Sequence, residues 1–158
     1  MSSINPSDET IRQFSDEAVD SKPIIMVNLL KFREVADYGD GRNSGVSGPQ
    51  AYARYSKAAI PLVWEVGGQV LWFGKVRSTF IAPDGESWDE AALVMYPSRA
   101  AFLRMVTSPV YQQAMPHRTA ALADSRLIET QAKRLPKAVL ALARGVVRIK
   151  GLLLPRIP

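Results

Sequence analysis

With 158 residues, 47% hydrophobic and 22% charged, the chain has the size and balance of one ordinary folded domain with a real core. It has no cysteine and one histidine, which excludes disulfides, thiolate nucleophiles, cysteine-held metals and a multi-histidine metal site within one subunit. The net charge of +5 is unevenly placed: residues 1–132 hold 13 Lys and Arg against 15 Asp and Glu, a balance of −2, and residues 133–158 hold seven basic residues and no acid. The basic character therefore belongs to a tail, and a global reading as a nucleic-acid binder fails.

The start, MSSINPSDET, has neither a basic opening nor an apolar run, so a secretory signal is not expected. No stretch approaches the roughly 18 apolar residues of a membrane span. The expectation is a soluble cytoplasmic protein. Asn5 to Glu9 combines a capping residue, a proline and acids as a helix start does, and Ile11 and Phe14 share the face of a short helix. After Pro23, Ile24 to Phe32 is a continuous apolar run broken only by Asn28 and Lys31, the pattern of a strand buried on both faces. Ala36 to Gly48, ADYGDGRNSGVSG, is turn chemistry without periodicity.

Pro49 to Val66 returns to helical spacing, with Tyr52, Tyr55, Ala59, Val63 and Val66 along one stripe. Pro61 inside it predicts a kink or restart, and Gly67-Gly68 closes it. Gln69 to Ile81 reads as a long strand, Asp84-Gly85 as a turn, and Ala91 to Tyr96 as its antiparallel partner. Ser98 to Val106 is a predicted helix. Ser108-Pro109 opens another with an N-cap serine and N1 proline, which Pro116 bends or divides. Arg126 to Gln131 is the final strand. The order strand, helix, strand, strand, helix, strand predicts an α+β, ferredoxin-like βαββαβ fold, an antiparallel sheet with helices on one face. The organisation expected is a leader (1–22), the sheet domain (23–132) and a basic amphipathic tail (133–158).

The segments GPQAYARYSKAAIPLVWEVGGQVL and PSRAAFLRMVTSPVYQQAMPHRTAALADSRLIE, with the paired strands between them, resemble a family of uncharacterised bacterial proteins. It is the domain-of-unknown-function family numbered thirteen-thirty, in the dimeric α/β barrel superfamily. The resemblance covers roughly residues 48 to 132, with residues 24–33 as the expected first strand. It implies a homodimer whose two sheets pair face to face, each subunit keeping a cleft between sheet and helices. The superfamily includes cofactor-independent monooxygenases, haem-degrading oxygenases, isomerases and dehydratases, so fold analogy does not choose an activity. Its small haem-degrading members use a strand-one asparagine, a helix tryptophan and, ten residues later, a haem-ligating histidine. Here Asn28 stands at the first place and Met105 and Met115 at the others. His117 lies two residues past the ligand position, about 200° round a helix. No cofactor is expected.

The candidate site residues follow from chemistry. Asn28 shares a strand face with Met26, Leu30 and Phe32, so its amide either satisfies neighbouring backbone or points into a cleft. Trp72 and Trp64 are core aromatics or pocket walls. Tyr52 and Tyr55 either pack with their tips in water or orient a ligand. His117 is the candidate general acid or base, against the plainer reading of a surface residue. Arg118 would hold a carboxylate or a developing anion. The loop GDGRNSGVSG matches neither a phosphate loop nor a calcium loop and reads as a flexible connection or a lid. Asp84, Glu86, Asp89 and Glu90 read as solvated acids.

The tail, PKAVLALARGVVRIKGLLLPRIP, places Lys137, Arg144 and Arg148 on one helical face among aliphatic residues. It would pack on its own subunit or on a dimer partner, or bind an anionic membrane surface peripherally. With no aromatic residue it offers nothing for bases to stack on, so no nucleic acid is expected. Two functions remain. One is a small cofactor-independent enzyme or binder for an apolar or aromatic metabolite, with Asn28, Tyr52, Tyr55 and Trp72 lining the pocket and His117 and Arg118 handling charge. The other is a non-catalytic interaction module recruited to a membrane or partner by its tail.

Overall fold

The computed structural model describes residues 3–16, 22–39 and 45–132; the predicted tail and the middle of the glycine-rich loop lie outside them. Eight elements follow in order: α1 (Asp8–Asp16), β1 (Ile24–Phe32), α2 (Gly48–Glu65), β2 (Gln69–Lys75), β3 (Glu90–Tyr96), α3 (Arg99–Val106), α4 (Pro109–Ala121) and β4 (Leu122–Thr130). The strands form one antiparallel sheet in the order β2-β3-β1-β4. This is the expected ferredoxin-like arrangement, with α1 added by the leader.

β1 is central, pairing with β3 along one edge and β4 along the other. Its alternation sends Ile24, Met26 and Leu30 into the core, where they are 2%, 4% and 1% exposed. Ile25, Val27 and Leu29 point to the other side and are only half-buried. The expectation of a strand buried on both faces is therefore corrected within a single chain: helices cover one face, and none of the described elements covers the other.

Local signals explain the helix starts. Ser47 caps α2 in a reciprocal box, accepting from the Gln50 amide while the Gln50 side chain accepts from the Ser47 amide. Ser98 and Ser108 cap α3 and α4. The predicted breaks at Pro61 and Pro116 do not divide α2 or α4, which run on through them. Both prolines sit on exposed turns, four residues after exposed Lys57 and Gln112, so the carbonyls they leave without a helical donor are close to water.

Two strand boundaries differ from expectation. β2 ends at Lys75, and Phe80 and Ile81 beyond it are 97% and 89% exposed. β4 begins at Leu122, directly after α4, because Leu122 is fully buried opposite Phe32; Asp124-Ser125 had concealed this in the sequence. Gly48 permits the closest approach in the fold. A Cβ there would stand 2.7 Å from the Ala121 carbonyl oxygen and nearer still to Arg33, where α2 begins against the ends of β1 and α4. Gly48→Ala is expected to cost about 1–3 kcal/mol by overpacking, and Ser47→Ala about 1 kcal/mol through the lost cap. Urea unfolding should rank them in that order; the reverse order would contradict the close approach.

Candidate functional site

The core divides into two clusters on the helix side of the sheet. One gathers Ile24, Met26, Tyr96, Met105 and Tyr111; the other gathers Leu30, Ala36, Ala51, Ala121 and Leu122. Asn28 stands between Met26 and Leu30 on the same strand face, opposite Ala92 of β3 and Leu127 of β4, and belongs to neither cluster. Its Nδ2 donates to the Met26 carbonyl at 3.2 Å. Its Oδ1 accepts no hydrogen bond among the described residues, and the side chain is only half-buried.

Above the sheet, Phe32, Tyr52, Tyr55 and Tyr111 form a continuous chain of ring contacts with centroids 5.3, 5.3 and 5.8 Å apart. The one-turn spacing of Tyr52 and Tyr55 on α2 puts both on the face toward α4 and the sheet. Tyr55 Oη donates to Tyr111 Oη at 2.9 Å, while the Tyr52 hydroxyl has no hydrogen-bond partner among the described residues. Burial pushes the Tyr52 phenol up to about 12, with Arg118 opposing it and Tyr111 and Glu90 adding to it. Burial, then Tyr111 and Tyr52, raises Tyr55 well above its ordinary value. The plainer expectation, phenol tips in water, is corrected for Tyr55, whose hydroxyl bonds Tyr111.

Glu90 begins β3 on the same helix side, paired across from Leu30. Burial first, and then the Asp89 carboxylate, raises its carboxyl above the usual range, with Lys75 opposing. Three of the four acids expected to be solvated take separate roles. Asp89 accepts from the Phe32 amide at 2.7 Å and from Lys31 Nζ at 3.3 Å, Glu86 accepts from Trp88 Nε1 at 3.0 Å, and Glu90 stands across from Leu30.

His117 and Arg118, adjacent on α4, point about 100° apart and meet different surroundings. His117 Nδ1 lies 2.8 Å from Tyr38 Oη, with the rings edge to face, so the histidine engages the segment after β1. Arg118 is 7% exposed and donates to the Ile4 carbonyl at 2.6 Å and Ser125 Oγ at 3.1 Å. Ser125 pairs across from Leu30 of β1, whose cluster Tyr52 packs against, so Arg118 lies on the same side of the sheet as the tyrosines.

Trp72 does not share this cleft. The register shifts between Val70 and Trp72, so Val70 pairs with Val94 on the helix side while Trp72 pairs with Leu93 on the outer face. There it is 51% exposed and lies across Gly74. Strict alternation would put Val70 and Trp72 on one face, and a bulge is invisible to such counting. Trp64 is 63% exposed on α2 and does not join the tyrosine cluster. Tyr111, Glu90, Ser125 and Tyr38 were missed. Tyr111 could have been found from its place one turn before Met115 on α4; the other three depend on contacts distant in sequence.

The profile of the family described as Domain of unknown function (DUF1330) matches residues 42–131. Among solved structures, the chain is similar to RPA0582 of Rhodopseudomonas palustris, a protein of unknown function. The identity is 37% over 85% of this chain and 100% of that one, with a TM-score of 0.78. A methylated form of RPA0582 matches at 39% identity, over 84% of this chain and 96% of that one, with a TM-score of 0.78. No curated protein matches. Among the described residues no helix is long and apolar enough to cross a membrane.

The raised Tyr52 phenol has a measurable consequence. Its neutral form is favoured in the fold, so the stability this provides is present below the ordinary value of 10.0 and is lost as pH rises through about 12. Ultraviolet difference titration of wild type against Tyr52→Phe should show one phenol ionising near the upper value; a midpoint at the ordinary value would contradict the burial.

Proposed function

The chain belongs to the DUF1330 family, and within it we propose that this protein is a homodimeric binder of an apolar or aromatic small molecule. The ligand is held between sheet and helices at Asn28, Tyr52 and Tyr55. The observation that carries the reading is a pair of polar atoms without hydrogen-bond partners among the described residues, Asn28 Oδ1 on the strand between the two apolar clusters and Tyr52 Oη in the chain of aromatic rings. Ligand sites are mostly apolar with a few fixed polar groups, and both atoms are open to such a bond. Binding needs no cofactor in this reading, and any turnover would draw its proton carrier from the site's own residues. His117 is the candidate carried from sequence, and its bond to Tyr38 favours the lesser role of fixing the segment after β1.

The homodimer is supported by the outer face of the sheet. Ile25, Val27 and Leu29 of β1 and Leu93 and Met95 of β3 lie there half-buried, beside Trp72 at 51% and Ile128 at 48% exposed. A central strand that is apolar on both sides calls for a cover on both, and a second sheet of the same kind supplies one. Native mass spectrometry of gently purified protein should give a dimer that takes up phenol or benzyl alcohol as probes. Asn28→Leu, close in volume, should keep the dimer and weaken probe binding about tenfold. Unchanged binding would reject the site, and a monomeric wild type would reject the paired sheets.

A second reading, recruitment to an anionic membrane surface by residues 133–158, rests on their seven basic residues, absent acids and aliphatic content. Those residues lie outside the described ones. A protein ending at Arg134 should lose cosedimentation with phosphatidylserine vesicles that the full chain shows; equal cosedimentation by both would reject this reading.

A further inference from the structure

Among the described residues, Arg118 is a buried cation without a counter-charge. At 7% exposure its guanidinium meets only neutral acceptors: Nη1 donates to the Ile4 carbonyl at 2.6 Å and to Asn5 Oδ1 at 3.4 Å, and Nη2 donates to Ser125 Oγ at 3.1 Å. An arginine cannot shed its proton to escape burial, and a buried charge normally has a partner. Among the described acids, Glu90 makes no ion pair with it, and two on β4 are committed elsewhere. Glu129 holds Arg99 at 2.8 Å, and Asp124 holds Arg126 at 2.6 Å together with the Ser3 and Ser125 amides.

Two of the three acceptors come from the leader rather than from the sheet domain. Residues 3–5 lie along β4, where the Ser125 amide donates to the Ser3 carbonyl at 2.9 Å and the Ser3 amide to Asp124 Oδ1 at 2.7 Å. Ser125, which the guanidinium bonds, pairs across from Leu30, two residues from Asn28 on the same strand face, and Tyr52 of the proposed cleft packs against the Leu30 cluster.

We infer that Arg118 and the Ser125 hydroxyl form the anion anchor of the cleft, that its ligand is an aromatic carboxylate, and that the Ile4 carbonyl and Asn5 amide oxygens hold the anion's place here. The inference rests on the cleft reading above and adds the ligand's charge and the leader's role as its competitor. On binding, Nη1 exchanges neutral oxygens for a charged one, a stronger bond in a site of low polarity, and residues 3–5 release β4. A carboxylate fits better than a phosphate. One guanidinium and one hydroxyl match a single negative charge, and a dianion would face Glu90 and the phenols with charge left over.

The test uses the full chain with benzoate, its neutral counterpart benzamide, and inorganic phosphate, by calorimetry and amide hydrogen exchange. Benzoate should bind about tenfold or more tighter than benzamide, phosphate should not compete, and exchange at the Ser125 amide should quicken on binding. Asn5→Ala, which removes one competing oxygen and leaves Arg118 in place, should tighten benzoate about threefold without changing benzamide. Equal binding of benzoate and benzamide, competition by phosphate, or no response to Asn5→Ala would each overturn the inference. Equal binding of both probes that is weakened in Asn28→Leu would overturn it while leaving the cleft reading standing. Binding of neither would overturn both.

Discussion

β1 is hydrogen-bonded along both edges, to β3 and to β4, so its side chains have only two directions in which to go. The rest of the structure depends on what they meet. Toward the helices, Ile24, Met26 and Leu30 anchor two apolar clusters, and Asn28 falls at the break between them. Continuous apolar packing past an amide would strand its polar atoms. The break between the two clusters on the helix side is thus set by one residue in the middle of the central strand. Away from the helices, Ile25, Val27 and Leu29 make a face that the described elements leave uncovered.

The helices respond to this break with aromatic rings. Tyr52, Tyr55 and Tyr111 meet where α2 packs on α4, and large rings with one polar tip suit a boundary between apolar packing and a polar gap. Tyr55 and Tyr111 satisfy each other; the Tyr52 hydroxyl is left over. The asymmetry matters because a fully satisfied network would make a rigid core, whereas unused hydrogen-bonding capacity offers a ligand something to gain.

Electrostatics ties the leader to the sheet domain. Arg118 and Ser125, both buried, receive residues 3–5 as a short strap, while Phe14 of α1 packs edge to face on Phe102 of α3 with Arg99 over its ring. The leader is therefore held at two places by different forces. The contact at α3 is largely apolar, and the contact at Arg118 is polar and made to neutral atoms.

Much of this was legible in the chain. The apolar run at β1, the serine caps before α3 and α4, the glycine pair after α2 and the Asp84-Gly85 turn are local signals, and each fell where the sequence placed it. Those signals determined the order of elements and hence the ferredoxin-like topology, because propensity, capping and alternation act over a few residues. Asn28 stood out as the one amide in an apolar run. The tertiary structure decided the rest. The bulge that turns Trp72 outward, the early start of β4 under Leu122, and the continuity of α4 through Pro116 all follow from partners far away in sequence. So do the tyrosine cluster, the bond between His117 and Tyr38, and the burial of Arg118 beneath the leader. Local pattern names the residues able to do chemistry, but contact and burial, set only when distant segments meet, decide which of them have unmet needs.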